Sequence, residues 1–221
     1  MENYMNDYLT IALPKGKLFS ISKNLLHRVG ISADHLSEKS RKLVIENEDL
    51  KVRFIIAKTS DVPTYVEYGA ADIGIIGKDV LLESQKDVYE ILDLGFGKCH
   101  LMMAVPQKEK RRRLLDYSYT RVATKYPHIA ESFFARQGMQ MEYIKLNGSI
   151  ELGPIVGLSE SIVDIVETGT TLAENDLEEI AHILDVSARL IVNRVSFKLK
   201  FHRINEIVNN LRPIIESGEI L

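Results

Sequence analysis

The chain has 221 residues, 45% of them apolar and 27% charged, which is the make-up of an ordinary globular protein with room for one large or two smaller cores. Its net charge of −3 excludes the strongly basic balance of a nucleic-acid-wrapping protein, so any anionic ligand has to be attracted locally. A single cysteine, Cys99, excludes an internal disulfide framework and a multi-cysteine zinc site. No stretch approaches the ~18 apolar residues of a membrane span, and the first residues carry acids where a secretory leader carries bases, so a cytoplasmic protein is expected.

In chain order, "LTIAL" (9–13) predicts a buried strand, and "PKGK" the loop after it. Leu18, Ile21, Leu25 and Val29 then recur near helical spacing, with Gly30 as the stop. "KLVIENEDLKVRFIIA" predicts two strands around the polar turn Asn47–Asp49. In "SDVPTYVEYG" Ser60 or Asp61 is the expected N-cap, Pro63 sits in the first turn and Gly69 closes a short helix. "ADIGIIG" predicts a strand whose glycines admit a close neighbour; a short helix at "DVLLES" and strands at "DVYEILDLGFG" and "CHLMMAVP" follow. The charge run 107–118 predicts a solvated helix face. Beyond it come a helix at "PHIAESFFARQG", strands at "QMEYIKL" and "SIVDIVETG", an extended stretch over 177–194, and a helical stretch from about Ser196 to Ser217 that Pro213 is expected to bend or shorten. Strands alternating with short helices predict an α/β fold with largely parallel sheets.

Four loops follow apolar strands and carry glycine or lysine: "PKGK", "AKTSD", "IIGKD" and "ETGTT". Ligands of open α/β sheets bind at the carboxyl ends of strands, so such loops are expected to converge on one crevice. In "ETGTT", Gly169 lets successive N–H groups turn inward as an anion nest, Thr168, Thr170 and Thr171 add hydroxyls, and a helix is expected to start at Leu172. Asp164 and Glu167 just upstream would repel a phosphate but accept from sugar hydroxyls, so the combination suggests a ribose 5-phosphate unit. A plain turn would explain the glycine and leave the threonines and acids as coincidence. "PKGK" alone reads as a turn with solvated lysines; beside an anion loop, Lys15 and Lys17 suit a polyphosphate. It is not a P-loop, "GLSES" is not a nucleophile elbow, and the six scattered histidines read as structural or surface residues.

With these residues in view the chain resembles the short form of the ATP phosphoribosyltransferase family. The resemblance is carried by Glu151, Gly157, Ser159, Asp164, Thr168, Gly169, Thr171 and Leu172 at the family's signature spacing. The blocks "LPKGKL", "SDVPTYVEYGAADIGIIGKDVL", "LDLGFGKCHLMMAVP", "RVATKYPHIA" and "IKLNGSIELGP" stand in the family's order, from about Leu9 to Arg194. Gly153 departs from the usual alanine, Thr170 from a larger polar or basic residue, and Lys17 and Lys58 from arginine. The resemblance implies an α/β fold of two lobes with a central cleft, like type II periplasmic binding proteins: lobe I over 1–95 with 183–221, lobe II over 96–182. It implies transfer of the phosphoribosyl group of phosphoribosyl pyrophosphate to N1 of ATP, the first step of histidine biosynthesis. Asp164, Glu167, Thr168, Gly169, Thr170, Thr171 and Leu172 are then expected to bind phosphoribosyl pyrophosphate, and Pro14, Gly16, Asp72, Gly77 and Lys78 to bind ATP. Lys15, Lys17, Arg41 and Lys58 with Mg²⁺ would screen the two polyanions; no residue is assigned as a metal ligand. The long form carries an extra C-terminal domain for which a chain ending at Leu221 has no room, so a separate regulatory subunit similar to histidyl-tRNA synthetase is expected, with the chain as a homodimer within a hetero-oligomer. The rival reading is a non-catalytic small-molecule-binding protein of the same fold.

Overall fold

A computed structural model describes residues 8–33, 36–37, 42–110 and 113–218. In chain order they form β1 (Leu9–Pro14), α1 (Lys17–Arg28), β2 (Val44–Asn47), β3 (Val52–Ala57), α2 (Val62–Glu67), β4 (Ile73–Gly77), α3 (Lys78–Ser84), β5 (Tyr89–Asp93) and β6 (Cys99–Pro106). These are followed by β7 (Arg121–Thr124), α4 (Pro127–Arg136), β8 (Glu142–Lys145), α5 (Leu152–Ile155), β9 (Ser161–Val166), α6 (Thr170–Glu174), β10 (Leu177–Val186), β11 (Ala188–Val192), α7 (Arg194–Leu199) and α8 (Phe201–Glu216). The chain divides into two compact units, Lys98–Val186 and the remainder on either side of it.

The first unit holds a sheet of order β2-β3-β1-β4-β11-β5. Its central strand β1 is buried at every position, as an apolar run covered on both faces has to be. One face packs under α1 and α8, joining Leu9, Ile11 and Leu13 to Phe19, Leu25, Ile204 and Leu211. The other packs under α2, joining Ala12, Ile76 and Ile191 to Val62 and Val66. Gly74 is required there, because a Cβ would stand 2.8 Å from Val66 Cγ2 and 2.9 Å from Val62 Cγ1; the close neighbour of this glycine is a helix.

The second unit holds a sheet of order β10-β6-β9-β7-β8. On one face α4 lays Ile129, Ala130, Phe133 and Phe134 over Val122 and Val163. On the other, Ile150 and Leu172 cover Ala123 and Ile162.

Both sheets are mixed, which corrects the expectation of largely parallel pairing. Parallel ladders run β3-β1-β4 and β8-β7-β9, while β2, β11 and β5 in the first unit and β6 and β10 in the second pair antiparallel. Strand direction is set by connection: the four-residue turn between β2 and β3 forces a hairpin, whereas the helix between β3 and β4 allows a parallel return.

Further differences from the sequence reading are local. Residues 111–112 of the charge run lie outside the described residues; the described part of the run forms two short 3₁₀ turns, Gln107–Glu109 and Leu114–Tyr117, in place of a solvated helix, and Tyr117 is buried under α4. β7 and α5, four residues each, were not anticipated. Asp61 occupies the cap position of α2 without a side-chain cap bond. The terminal helical stretch is broken at Lys200 into α7 and α8, and Pro213 lies within α8, which continues to Glu216. Proline at that depth removes one N–H in the final turn, and Ser217 N still bonds Pro213 O at 3.0 Å.

Candidate active site

Within the second unit, parallel strands β7 and β9 present their carboxyl ends along one edge, and the loop after β9 is "ETGTT". Gly169 has φ +77° and ψ −4°, a left-handed conformation that reverses the chain into α6, which starts at Thr170 and not at Leu172. Nothing stands within 4 Å of where its Cβ would be, so this glycine is demanded by backbone conformation and not by packing. Thr168 Oγ1 and Thr170 Oγ1 lie 3.1 Å apart across the turn. Leu172 anchors the loop from below with Ile162, Val166 and Leu177, so its side chain belongs to the core.

A cavity of about 290 Å³ opens at this loop, lined by Glu151, Asp164, Glu167, the three threonines, Gly169 and the apolar floor. Asp164 is opposite Met102 on β6 and on the face that holds Ile162, among apolar neighbours. Burial pushes its carboxyl up to about 6; the N–H of Ile165 and the charge of Lys125 counter this in part, and the Glu151 carboxylate adds to it. A partly desolvated carboxylate beside open space is a group poised to accept from a ligand.

Within the first unit, the carboxyl ends of β3, β1 and β4 share an edge. Lys15 N donates to Ala57 O at 2.9 Å and Thr59 Oγ1 to Lys15 O at 3.3 Å, so the "PKGK" and "AKTSD" loops touch. Lys15 and Lys58 are exposed on that edge, Lys17 opens α1, and Gly16 (φ +91°) makes the turn between them. Pro14 is buried as the last residue of β1. Gly77 ends β4 and Lys78 opens α3, its ammonium paired with Glu90. Three of the four loops therefore share this edge, and the fourth belongs to the other unit. Arg41 lies outside the described residues.

Asp72 is not brought to this edge. It precedes β4 at the opposite end of the sheet, 5% exposed, where its carboxylate accepts from Thr10 N at 2.7 Å, Ser196 Oγ at 2.6 Å and Lys200 Nζ at 2.7 Å. The expectation that it faces ATP gives way to a structural role, since those donors tie β1, β4, α7 and α8 together.

Two residues at the second unit's edge escaped the direct reading. Glu151 entered only through the family signature, and the structure puts it in the cavity wall. Lys125 escaped because β7 did; Val122 and Thr124, two β-branched residues alternating around Ala123 before "KYP", were the available signal. At Gly153 a Cβ would stand 2.7 Å from Ser159 Oγ and 2.8 Å from Ala123 Cβ, so glycine lets α5 sit directly on β7.

The ATP phosphoribosyltransferase family (HisG) matches residues 58–213. The ATP phosphoribosyltransferase of Desulfitobacterium hafniense is 53% identical over 216 residues, covering 95% of this chain and 97% of its own length. A solved ATP phosphoribosyl transferase (HisG:HisZ) complex from Thermotoga maritima superposes with a TM-score of 0.80 at 32% identity, covering 95% of this chain and 99% of that one. The substrate-binding protein of an amino-acid ABC transporter, 12% identical, superposes at 0.61 over 96% of this chain and 95% of its own, a likeness of fold alone. With the family's range and the near-complete relatives agreeing with the loop, the chain belongs to the ATP phosphoribosyltransferase family.

Proposed function

We propose that the chain transfers the phosphoribosyl group of phosphoribosyl pyrophosphate to N1 of the adenine ring of ATP, releasing pyrophosphate, the first step of histidine biosynthesis. The observation that carries this is the cavity at the end of β9, where a positive-φ glycine and three hydroxyls adjoin a desolvated carboxylate. N–H groups and hydroxyls of Thr168–Thr171 hold the 5-phosphate. Asp164 and Glu167 accept from the ribose hydroxyls, and for Asp164 those donors replace the water lost on folding. Lys15, Lys17 and Lys58, with Arg41, take the charge of the nucleotide and diphosphate, and Pro14, Gly16, Gly77 and Lys78 frame the nucleotide. The reaction is a direct displacement at C1 of the ribose by N1, without an enzyme-bound intermediate.

Mg²⁺ suits this site in a limited way. Among the described residues there is no ready-made cluster of three or more ligating side chains, but Glu151 and Glu167 offer hard oxygen donors in the cavity wall. One or both would hold the ion together with substrate oxygens, and bound there it would neutralise charge on the departing diphosphate. Among the described residues no helix is long and apolar enough to cross a membrane; we place the reaction in the cytoplasm, where both substrates are found. By analogy with the Thermotoga maritima HisG:HisZ complex, the chain works in a hetero-oligomer with a HisZ-type regulatory subunit. That the chain is a homodimer within it, and that the subunit is similar to histidyl-tRNA synthetase, are parts of this proposal that rest on the family resemblance alone.

The test is near-ultraviolet absorbance of the purified chain mixed with ATP, phosphoribosyl pyrophosphate and Mg²⁺, with pyrophosphatase present, alone and with the regulatory subunit. Growth of the N1-ribosylated adenine chromophore requiring both substrates is the expected result. No growth in either case would reject the assignment.

A further inference from the structure

We propose that Lys125, just beyond β7, is the residue that neutralises the sugar 5-phosphate in the cavity beside β9; this rests on the reading of that cavity as the phosphoribosyl site. The cavity wall contains three carboxylates and three hydroxyls but no basic side chain. A phosphate monoester carries about 1.5 to 2 negative charges near neutral pH, and among three acids it needs a cation that the wall itself does not supply. A five-residue α6 offers too short a dipole to stand in for one.

Strand register decides which cation serves. β7 runs parallel to β9 with Val122 beside Ser161, Ala123 beside Ile162 and Thr124 beside Val163 as the last pair; Asp164 follows within β9, and Lys125 follows in the bend just past β7. Side chains alternate with period two. Ala123 packs with Ile162 and Leu172 on the cavity face, while Val122 and Tyr126 pack with Val163 on the α4 face. Carried one residue past the strand, this alternation puts Lys125 on the face of Ala123, which is the face of Asp164, and the charge of Lys125 does act on that carboxyl. The pairing is held at both ends. Arg121 grips Glu160 through Nη2 at 2.6 Å and through its N–H at 2.8 Å, and Thr124 Oγ1 accepts from Tyr126 N at 2.9 Å. The exposed ammonium rests 5.6 Å from the Tyr126 ring centroid, on a stem of four carbons that lets it swing to a ligand.

A neighbouring lysine supplies the control. Lys145 is paired with Thr124 at the same edge, and pairs across a ladder share a face, so it lies on the α4 side. Removing it deletes the same charge from the same edge but not from the cavity.

Calorimetric titration with ribose 5-phosphate, and KM values for phosphoribosyl pyrophosphate and ATP, are measured on the full chain with its regulatory subunit. Lys125→Ala is expected to weaken ribose 5-phosphate and phosphoribosyl pyrophosphate by about tenfold to a hundredfold and leave the KM for ATP within about twofold. Lys125→Arg should restore most of the loss, and Lys145→Ala should match the wild type. Wild-type affinity in Lys125→Ala would overturn the proposal, as would an equal loss in Lys145→Ala, which would mean a diffuse field at the edge. A wild type that neither binds ribose 5-phosphate nor turns over would remove the phosphoribosyl reading itself and this inference with it.

Discussion

Asp72 and Asp164 are both withdrawn from bulk water, one in each unit, and their surroundings differ in kind. Asp72 is met by a backbone N–H, a serine hydroxyl and a lysine ammonium, all within 2.7 Å. Asp164 is met by the N–H of Ile165 and by charges further off, and its carboxyl is pushed up to about 6 by burial. A buried carboxylate with its donors in place strengthens the scaffold; one that lacks them costs stability and waits for a ligand. The first unit uses its aspartate to join four elements, and the second leaves its aspartate at the wall of a cavity.

The largest expected effect breaks the scaffold half of this comparison. Asp72→Ala leaves the Lys200 ammonium, mostly buried, without its carboxylate, and should cost about 3–5 kcal/mol in denaturant unfolding. Asp164→Asn should do the reverse. Because the folded carboxyl titrates near 6 against 3.8 for a free one, its contribution is fully present below about pH 4 and is lost as pH rises through 6. The asparagine variant should therefore be more stable than wild type by about 2–3 kcal/mol at pH 7–8 and equal to it at pH 4. Its kcat/KM for phosphoribosyl pyrophosphate should fall about tenfold to a hundredfold. A variant that is destabilised at pH 7 would erase the contrast between the two aspartates.

Smaller effects sharpen the same contrast at the loops. Gly169→Ala meets no neighbour but must hold φ +77°, so about 1–2 kcal/mol of strain is expected, read as weaker ribose 5-phosphate binding with a modest drop in Tm. Lys78→Ala removes a partly exposed pair with Glu90 and should change stability by less than about 1 kcal/mol. A raised KM for ATP in that variant with an unchanged Tm would support its place at the nucleotide.

Much of the fold could be read from local chemistry. The runs at Leu9–Pro14 and Ser161–Val166 are strands, and the glycines after three of the helices, Gly30, Gly69 and Gly138, all take positive φ. The strand that escaped, β7, has four residues and a single apolar pair, too short for periodicity to register, and Lys125 escaped with it. Asp72 was misread for a different reason. It stands in a glycine-rich block with Gly77 and Lys78, yet five strand residues carry the chain across the sheet, so the two ends of that block lie on opposite edges.

The sequence by itself determined most of the strands and helices, where the anion loop lies and which family the signature resembles, because apolar period, turn chemistry and loop composition are properties of neighbouring residues. Only the tertiary structure decided strand direction, the split of the four loops between two units, the structural role of Asp72 and the meeting of Lys125 with Asp164. Those depend on register between strands far apart in the chain, on what covers each face, and on which carboxylates find donors when water is withdrawn.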